Sequence, residues 1–131
     1  MSRYLAFADM VFKDRELLLG ALGDLGYTRI EEGQELPLFG YRGDRRAETA
    51  ALVIRRRHIG RDSNDLGFAL TADGYFPIIS DFDNRRLLGG RFLTRLRVAY
   101  NERVVETVRT RLRASIHRTT EGSLIKLRVR Y

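Results

Sequence analysis

The sequence predicts an α+β domain in which an antiparallel sheet of about six or seven strands packs against two helices. Short segments of alternating apolar and polar residues recur between turn residues, and two longer segments have apolar residues spaced by three and four. Of the 131 residues, 44% are hydrophobic and only 2 are proline, which is typical of a folded chain. The length is that of one domain, so residues 1–131 are expected to form a single domain.

The first predicted elements are a strand and a helix. Residues 3–12 alternate loosely between apolar and polar and predict the strand. Asp14 is placed to cap a helix over residues 15–25, whose leucines form one apolar stripe. Gly26 follows, and glycine is the residue type that commonly ends a helix.

The middle of the chain predicts most of the sheet. Residues 28–32 and 36–39 are short extended segments around Gly33, and residues 40–43 predict a turn. Residues 48–57 are mostly apolar on both faces, which indicates an inner strand.

A hairpin follows, with strands over residues 65–71 and 75–80 joined by a turn at Asp73 and Gly74. Pro77 has no N–H to donate to a neighbouring strand. It is therefore expected to place its strand at an edge of the sheet or to make that strand irregular.

The last predicted elements are a long helix and a hairpin. Apolar residues spaced by three and four over residues 91–114 predict the helix, and Gly89 and Gly90 separate it from a short lead-in. Residues 115–119 and 123–131 predict the two strands of the hairpin. In the second strand basic residues alternate with apolar ones, so its cations fall on one face.

The net charge of +7 is concentrated at one end of the chain. Residues 85–131 hold 13 Lys and Arg against 3 Asp and Glu, whereas residues 1–84 hold 11 against 14. Like charges on one surface repel each other unless a partner or nearby acids compensate them, which favours a docking surface for something anionic. The candidate docking residues are Arg91, Arg95 and Arg97 of the helix and Arg118, Lys126, Arg128 and Arg130 of the hairpin.

No constellation in the sequence identifies a reaction. The chain has no cysteine, which excludes disulfides, thiolate metal sites and cysteine nucleophiles. His58, Asp62 and Asp65 could converge around the polar loop 58–64, but their spacing matches no standard zinc or calcium site. The acids of residues 81–84 suit helix capping as well as general acid-base chemistry. We therefore expect no catalytic residue, no metal and no cofactor.

The lopsided charge and the lack of a catalytic set favour a non-enzymatic adaptor or complex subunit. Its partner would be a protein with an acidic surface, or another copy of this chain. Nucleic-acid binding through the same surface is the first alternative, with Tyr100 or Tyr131 as stacking groups, and a small enzyme of unknown reaction is the second. A third interpretation of the surface is a solvated face balanced by the acidic N-terminal part.

The sequence also bears on location. No run approaches the roughly 18 apolar residues of a membrane span, and residues 1–12 lack the uninterrupted apolar core of a signal peptide. A protein without cysteine that contacts no membrane is expected to be cytoplasmic.

Six blocks carry a resemblance to one family by their order and spacing. They are residues 17–27 (LLLGALGDLGY), 40–43 (GYRG), 47–56 (AETAALVIRR), 65–81 (DLGFALTADGYFPIISD), 92–100 (FLTRLRVAY) and 122–131 (GSLIKLRVRY). In these blocks the chain resembles the small proteins of a conserved chloroplast reading frame and their bacterial relatives, a domain of unknown function common in cyanobacteria. The resemblance covers nearly the whole chain and implies no activity, cofactor or catalytic residue.

Overall fold

A computed structural model describes residues 2–121, with side chains through Arg118. Within that range the chain forms one five-stranded antiparallel sheet and three α-helices, so the expected six or seven strands and two helices are corrected. The strands are β1 (Tyr4–Ala6), β2 (Glu31–Phe39), β3 (Arg45–Ile54), β4 (Leu66–Thr71) and β5 (Gly74–Ser80). The helices are α1 (Arg15–Asp24), α2 (Asp81–Arg86) and α3 (Phe92–Glu121).

Helix α1 begins and ends where the sequence predicts. The Asp14 carboxylate accepts a hydrogen bond from the Leu17 amide at 3.0 Å, which satisfies one of the free N–H groups of the first turn. Gly26 has a φ of +100°, a left-handed conformation that glycine adopts without a steric cost. The carboxylate of Asp14 and the lack of a Cβ at Gly26 therefore account for the two ends of the helix.

The order of strands in the sheet is β1-β5-β4-β3-β2, so β3 is an inner strand as predicted. Strand β5 is also an inner strand, and the prediction that Pro77 places it at an edge is wrong. The Pro77 carbonyl accepts from the Phe7 amide at 2.9 Å, on the side of β1. The backbone nitrogen of Pro77 faces the same side as its carbonyl, next to the end of the short strand β1. Because this nitrogen does not face β4, its lack of a hydrogen removes no hydrogen bond between β4 and β5.

Helices α1 and α3 cover one face of the sheet. The largest side chains between the two layers are Phe12, Phe68 and Phe92, all fully buried, and the Phe12 ring meets Phe68 and Tyr100 edge to face. Val104 is the last residue of α3 that packs on this core. Residues 105–121 are called the distal segment of α3 below.

The opposite face of the sheet carries a smaller core, because the hairpin of β2 and β3 bends across it. The end of β2 returns to the start of β4, where the Asp65 amide donates to the Phe39 carbonyl at 2.9 Å. Leu38 and Ala50 then lie over Gly67, where an added Cβ would come within 2.7 Å of the Ala50 Cβ. The end of predicted segment 28–32 and the whole of segment 36–39 therefore belong to one bent strand, irregular between Glu32 and Leu36.

Two differences from the predicted elements lie after β5. Helix α2 forms because the Ser80 hydroxyl accepts from the Asp83 amide at 3.1 Å, and positive φ values at Gly89 and Gly90 then separate it from α3 as expected. Residues 115–119 are helical, so the first strand of the predicted last hairpin is wrong. Leu112 and Ile116 extend the four-residue spacing of Val104 and Val108, and that period continues the helix. Residues 123–131, the predicted second strand, lie outside the described residues.

Candidate docking face on helix α3

The predicted docking arginines of the described chain do not form one surface. Arg91 precedes α3, Arg95 and Arg97 lie in its first turns, and Arg118 lies near its far end. At 1.5 Å and 100° per residue, Arg118 is roughly 40 Å along the axis from Arg91 and on the opposite side of the helix. The other predicted residues, Lys126, Arg128 and Arg130, lie outside the described residues.

Arg97 is engaged within the fold. Its guanidinium donates to the Val11 carbonyl at 2.8 Å and lies 4.1 Å above the centre of the Phe12 ring. A second ring, that of Tyr100, lies at 5.6 Å. A cation between aromatic rings and a backbone carbonyl fastens α3 to the segment that leads into α1. This arginine is therefore largely committed to the fold.

Arg91 and Arg95 are exposed at the start of α3. The Arg91 Nε is 3.5 Å from the Leu88 carbonyl, at the outer limit of a hydrogen bond. The exposed Arg85 and Arg86 of α2 precede these two residues by a few positions in the sequence. The residues around the start of α3 are therefore also rich in exposed arginine.

The distal segment contains one acid-centred ion-pair cluster. The Glu106 carboxylate lies 3.1 Å from Arg113 and 4.0 Å from Arg109, which are ion pairs between residues one and two turns apart on the helix. Within the described part of the chain Glu102 makes no such pair, and neither Arg111 nor Arg118 has a carboxylate at ion-pair distance. The positive charge of the segment is only partly balanced.

Arg103 marks the point where α3 leaves α1. Its guanidinium donates two hydrogen bonds of 2.7 Å to the Asp24 carboxylate, and these bonds lower the pKa of Asp24 below its usual range. Farther along, Leu17 of α1 lines a groove of about 320 Å³ together with Thr110 and Arg111. Beyond this groove α3 continues to Glu121, for nearly three more turns.

An exposed apolar stripe runs along α3, and it is not among the features predicted from the sequence. Val98, Val105 and Val108 are 51%, 47% and 46% exposed, and half-buried Leu112 lies in line with them. The four side chains fall within a sector of roughly 80° whose centre lies roughly 120° or more from buried Leu96 and Tyr100. Val108, at the edge of that sector, lies roughly 40° from Val104. The signal available in the sequence was the seven-residue spacing of positions 98, 105 and 112.

Elsewhere, a buried carboxylate holds the bend of the sheet. Asp65 is 2% exposed and accepts from the Phe39 and Arg56 amides at 2.9 and 2.7 Å and from Arg55 at 2.8 Å. Arg55 also pairs with Glu31, and the hydrogen bonds from this arginine lower the pKa of Glu31. The residues through Glu121 contain no group of three acids or histidines that could hold a metal ion, so Asp65 does not join Asp62 and His58 in one.

The acids considered for catalysis are arranged around α2. Buried Asp83 accepts hydrogen bonds from the Ser80 hydroxyl at 2.8 Å and from the Asn64 amide at 2.9 Å, and all three residues are buried. His58 ends a short 3-10 turn and is exposed, and His117 lies in α3 and not in a strand. The bonds to Asp83 tie the loop before β4 to the start of α2.

Comparison with known proteins identifies the family of this chain. Residues 21–121 match the model of a family described as a protein of unknown function, DUF1257. The chain belongs to this family. No curated protein and no solved structure matches it. The expected uncharacterised family is confirmed, and its link to a chloroplast reading frame stays a prediction.

Within residues 2–121 no helix combines the length and the apolar character that a membrane crossing requires.

Proposed function

We propose that this protein is a non-enzymatic adaptor or complex subunit that docks on a larger protein assembly through the distal segment of α3. The last ten residues hold three further cations, Lys126, Arg128 and Arg130, which we include among the docking residues. The lack of cysteine supports a reducing compartment such as the cytoplasm.

The proposal rests on the excess of exposed arginines over acids in the distal segment. Residues 105–121 hold four arginines against Glu106 and Glu121, and among the described side chains no carboxylate lies at ion-pair distance from Arg111 or Arg118. Exposed cations that are not compensated locally attract an anionic surface and accelerate association with it.

A protein partner is favoured over nucleic acid by the valines that lie among these arginines. Protein interfaces combine an apolar centre with a charged rim, and Val105 and Val108 beside Arg109 have that arrangement. A phosphate backbone would use the arginines and leave the valines in water.

The test is purification of a tagged full-length chain from its native host, followed by quantification of partners that are recovered at stoichiometric level. The variant Arg111→Glu/Arg118→Glu should recover at least roughly tenfold less partner. The matched control Arg45→Glu/Arg61→Glu makes the same change in net charge at exposed positions elsewhere, and it should recover as much partner as the wild type.

Two results contradict the proposal. One is the absence of any stoichiometric partner, and the other is equal recovery by both variants. Titration of the wild-type chain with single- and double-stranded DNA and RNA at physiological salt tests the nucleic-acid alternative. Tight binding that Arg111→Glu/Arg118→Glu abolishes would favour that alternative over the adaptor.

A further inference from the structure

We infer that the stripe of Val98, Val105, Val108 and Leu112 is a coiled-coil seam that receives a partner helix bearing carboxylates beside its own apolar stripe. The inference rests on the proposed docking function and assigns the chemistry of the partner.

The spacing of the four residues is that of a coiled coil. Positions 98, 105 and 112 are seven apart and correspond to heptad position a, and position 108 corresponds to d. The seam extends for roughly 21 Å along α3, which is two heptads.

The exposure of the seam distinguishes it from the core-facing side of the same helix. Leu96 and Tyr100 are buried against the sheet, whereas the three valines keep about half of their surface in water. A row of exposed apolar side chains on one helix face is the arrangement by which amphipathic helices recognise one another.

The charges beside the seam determine the partner. On one side of the seam the e positions hold Glu102 and Arg109, and on the other side Arg111 and Arg118 lie at g positions, so cations outnumber acids beside the seam by three to one. The e and g residues of two paired helices meet across the interface, so this seam matches a helix with Glu or Asp at those positions.

A second copy of this chain is a poorer match for the seam. Pairing two distal segments would bring four arginines of one copy beside four of the other, with only Glu106 and Glu121 in each segment to offset them. Like charges across a helix interface oppose association, and an acidic partner turns the same arginines into attractive contacts.

The experiment titrates the full-length chain with three synthetic helical peptides of four heptads, followed by fluorescence anisotropy. The first peptide has Leu at a and d and Glu at e and g. The second has Leu at a and d and Lys at e and g, and the third keeps the Glu residues but has Gln at a and d. We expect the first peptide to bind at least roughly tenfold more tightly than either of the others.

Variants of the chain test the seam itself. Val105→Gln/Val108→Gln should weaken binding of the first peptide by roughly tenfold or more, because both valines lose an apolar contact. The control Thr110→Gln/Ala114→Gln places the same side chains on the opposite side of α3 and should bind like the wild type. Circular dichroism of both variants checks that the helix is retained.

Four outcomes overturn the inference. In the first two outcomes, the first peptide would fail to bind, or the third peptide would bind as tightly as the first. In the third outcome, sedimentation would find a dimer that Val105→Gln/Val108→Gln dissociates, and a second copy would then be the occupant. In the fourth outcome, a full-length Leu127→Gln/Val129→Gln variant would bind the first peptide more than tenfold more tightly than the wild type, and the end of this chain would then be the occupant. If the peptides fail while Arg111→Glu/Arg118→Glu still loses its host partner, the docking function stands and the coiled-coil seam does not.

Discussion

The arginines of the sheet layer and those of the distal segment of α3 differ in how their charge is used. Arg55 lies between Asp65 and Glu31, and Arg46 donates to the Ser2 carbonyl at 2.6 Å, with its guanidinium over the Tyr4 ring. In the distal segment, by contrast, Arg111 and Arg118 are exposed, and no carboxylate among the described side chains lies at ion-pair distance from them. The same residue type therefore fixes the fold in one region and leaves charge for a partner in the other.

The arginines of this protein therefore have two different roles, one in stability and one in binding. A partly buried arginine with a fixed acceptor contributes to stability through geometry, and its charge is already satisfied. An exposed arginine contributes almost nothing to stability, and its charge acts at longer range. Substitutions should therefore affect folding in the first region and binding in the second.

The largest effect is expected at Asp65, the acceptor that holds Arg55. Asp65→Ala leaves a partly buried guanidinium and two backbone amides without this partner, and it should lower the free energy of unfolding by about 3–5 kcal/mol. Urea unfolding followed by circular dichroism measures the change. The neighbouring control Asp62→Ala removes an exposed carboxylate and should change stability little, so similar losses for both variants would refute the role given to Asp65.

A smaller effect is expected at Arg97. Arg97→Ala removes the guanidinium from the Phe12 ring and the hydrogen bond to Val11, and it should cost about 2 kcal/mol of stability. Arg95→Ala, two residues earlier on the exposed side, should stay within about 0.5 kcal/mol of the wild type. Equal losses of stability for Arg97→Ala and Arg95→Ala would show that the contacts of Arg97 contribute no more to folding than the exposed Arg95 does.

Stability should fall in acid, through four carboxylates that contact arginines or backbone amides. Hydrogen bonds from Arg103, Arg55 and Arg15 lower the pKa values of Asp24, Glu31 and Glu32, and the Arg3 amide lowers that of Asp81. A carboxylate with a lowered pKa in the folded state contributes stability above its unfolded pKa of about 4, and this contribution is lost as pH falls through the folded pKa.

Urea midpoints at pH 7, 5.5 and 3 test that expectation. The midpoint should change little between the first two values and drop at the third. Glu31→Gln/Glu32→Gln should make the drop smaller, because two of the four carboxylates are then absent. A midpoint that rises in acid would contradict the assigned direction.

The smallest effects on stability are expected for exposed arginines of α3. Arg103→Ala loses its two bonds to Asp24, yet both side chains are more than 40% exposed, so we expect a loss of about 0.5 kcal/mol. Arg111→Ala loses no ion pair with a described residue and should leave the urea midpoint unchanged. A loss above about 1 kcal/mol at Arg111 would place this residue with the arginines that fix the fold.

Local signals in the sequence predicted the local parts of the fold. The cap at Asp14, the stop at Gly26 and the turn at Asp73 and Gly74 depend on nearby backbone groups, so they could be recognised from short segments. The inner position of β5 could not, because the harmless orientation of Pro77 depends on where β1 ends.

The candidate face was harder to predict than the fold. The sequence indicated a basic surface, but Arg97 and Arg95 differ by only two positions, and only the packing of Phe12 distinguishes their roles. The sequence predicts a single apolar stripe on α3, since Val108 and Leu112 continue the spacing of the buried residues. Where the core ends, at Val104, decides which of them remain exposed.

Arginine-selective chemical modification of the chain, alone and in complex with its purified partner, compares the two regions most directly. Mass spectrometry reads each site. We expect Arg109, Arg111, Arg113 and Arg118 to become protected in the complex, Arg91 and Arg95 to stay reactive, and Arg97 to react slowly in both states. Distal arginines that stay as reactive in the complex as in the free chain would contradict the docking role of the distal segment.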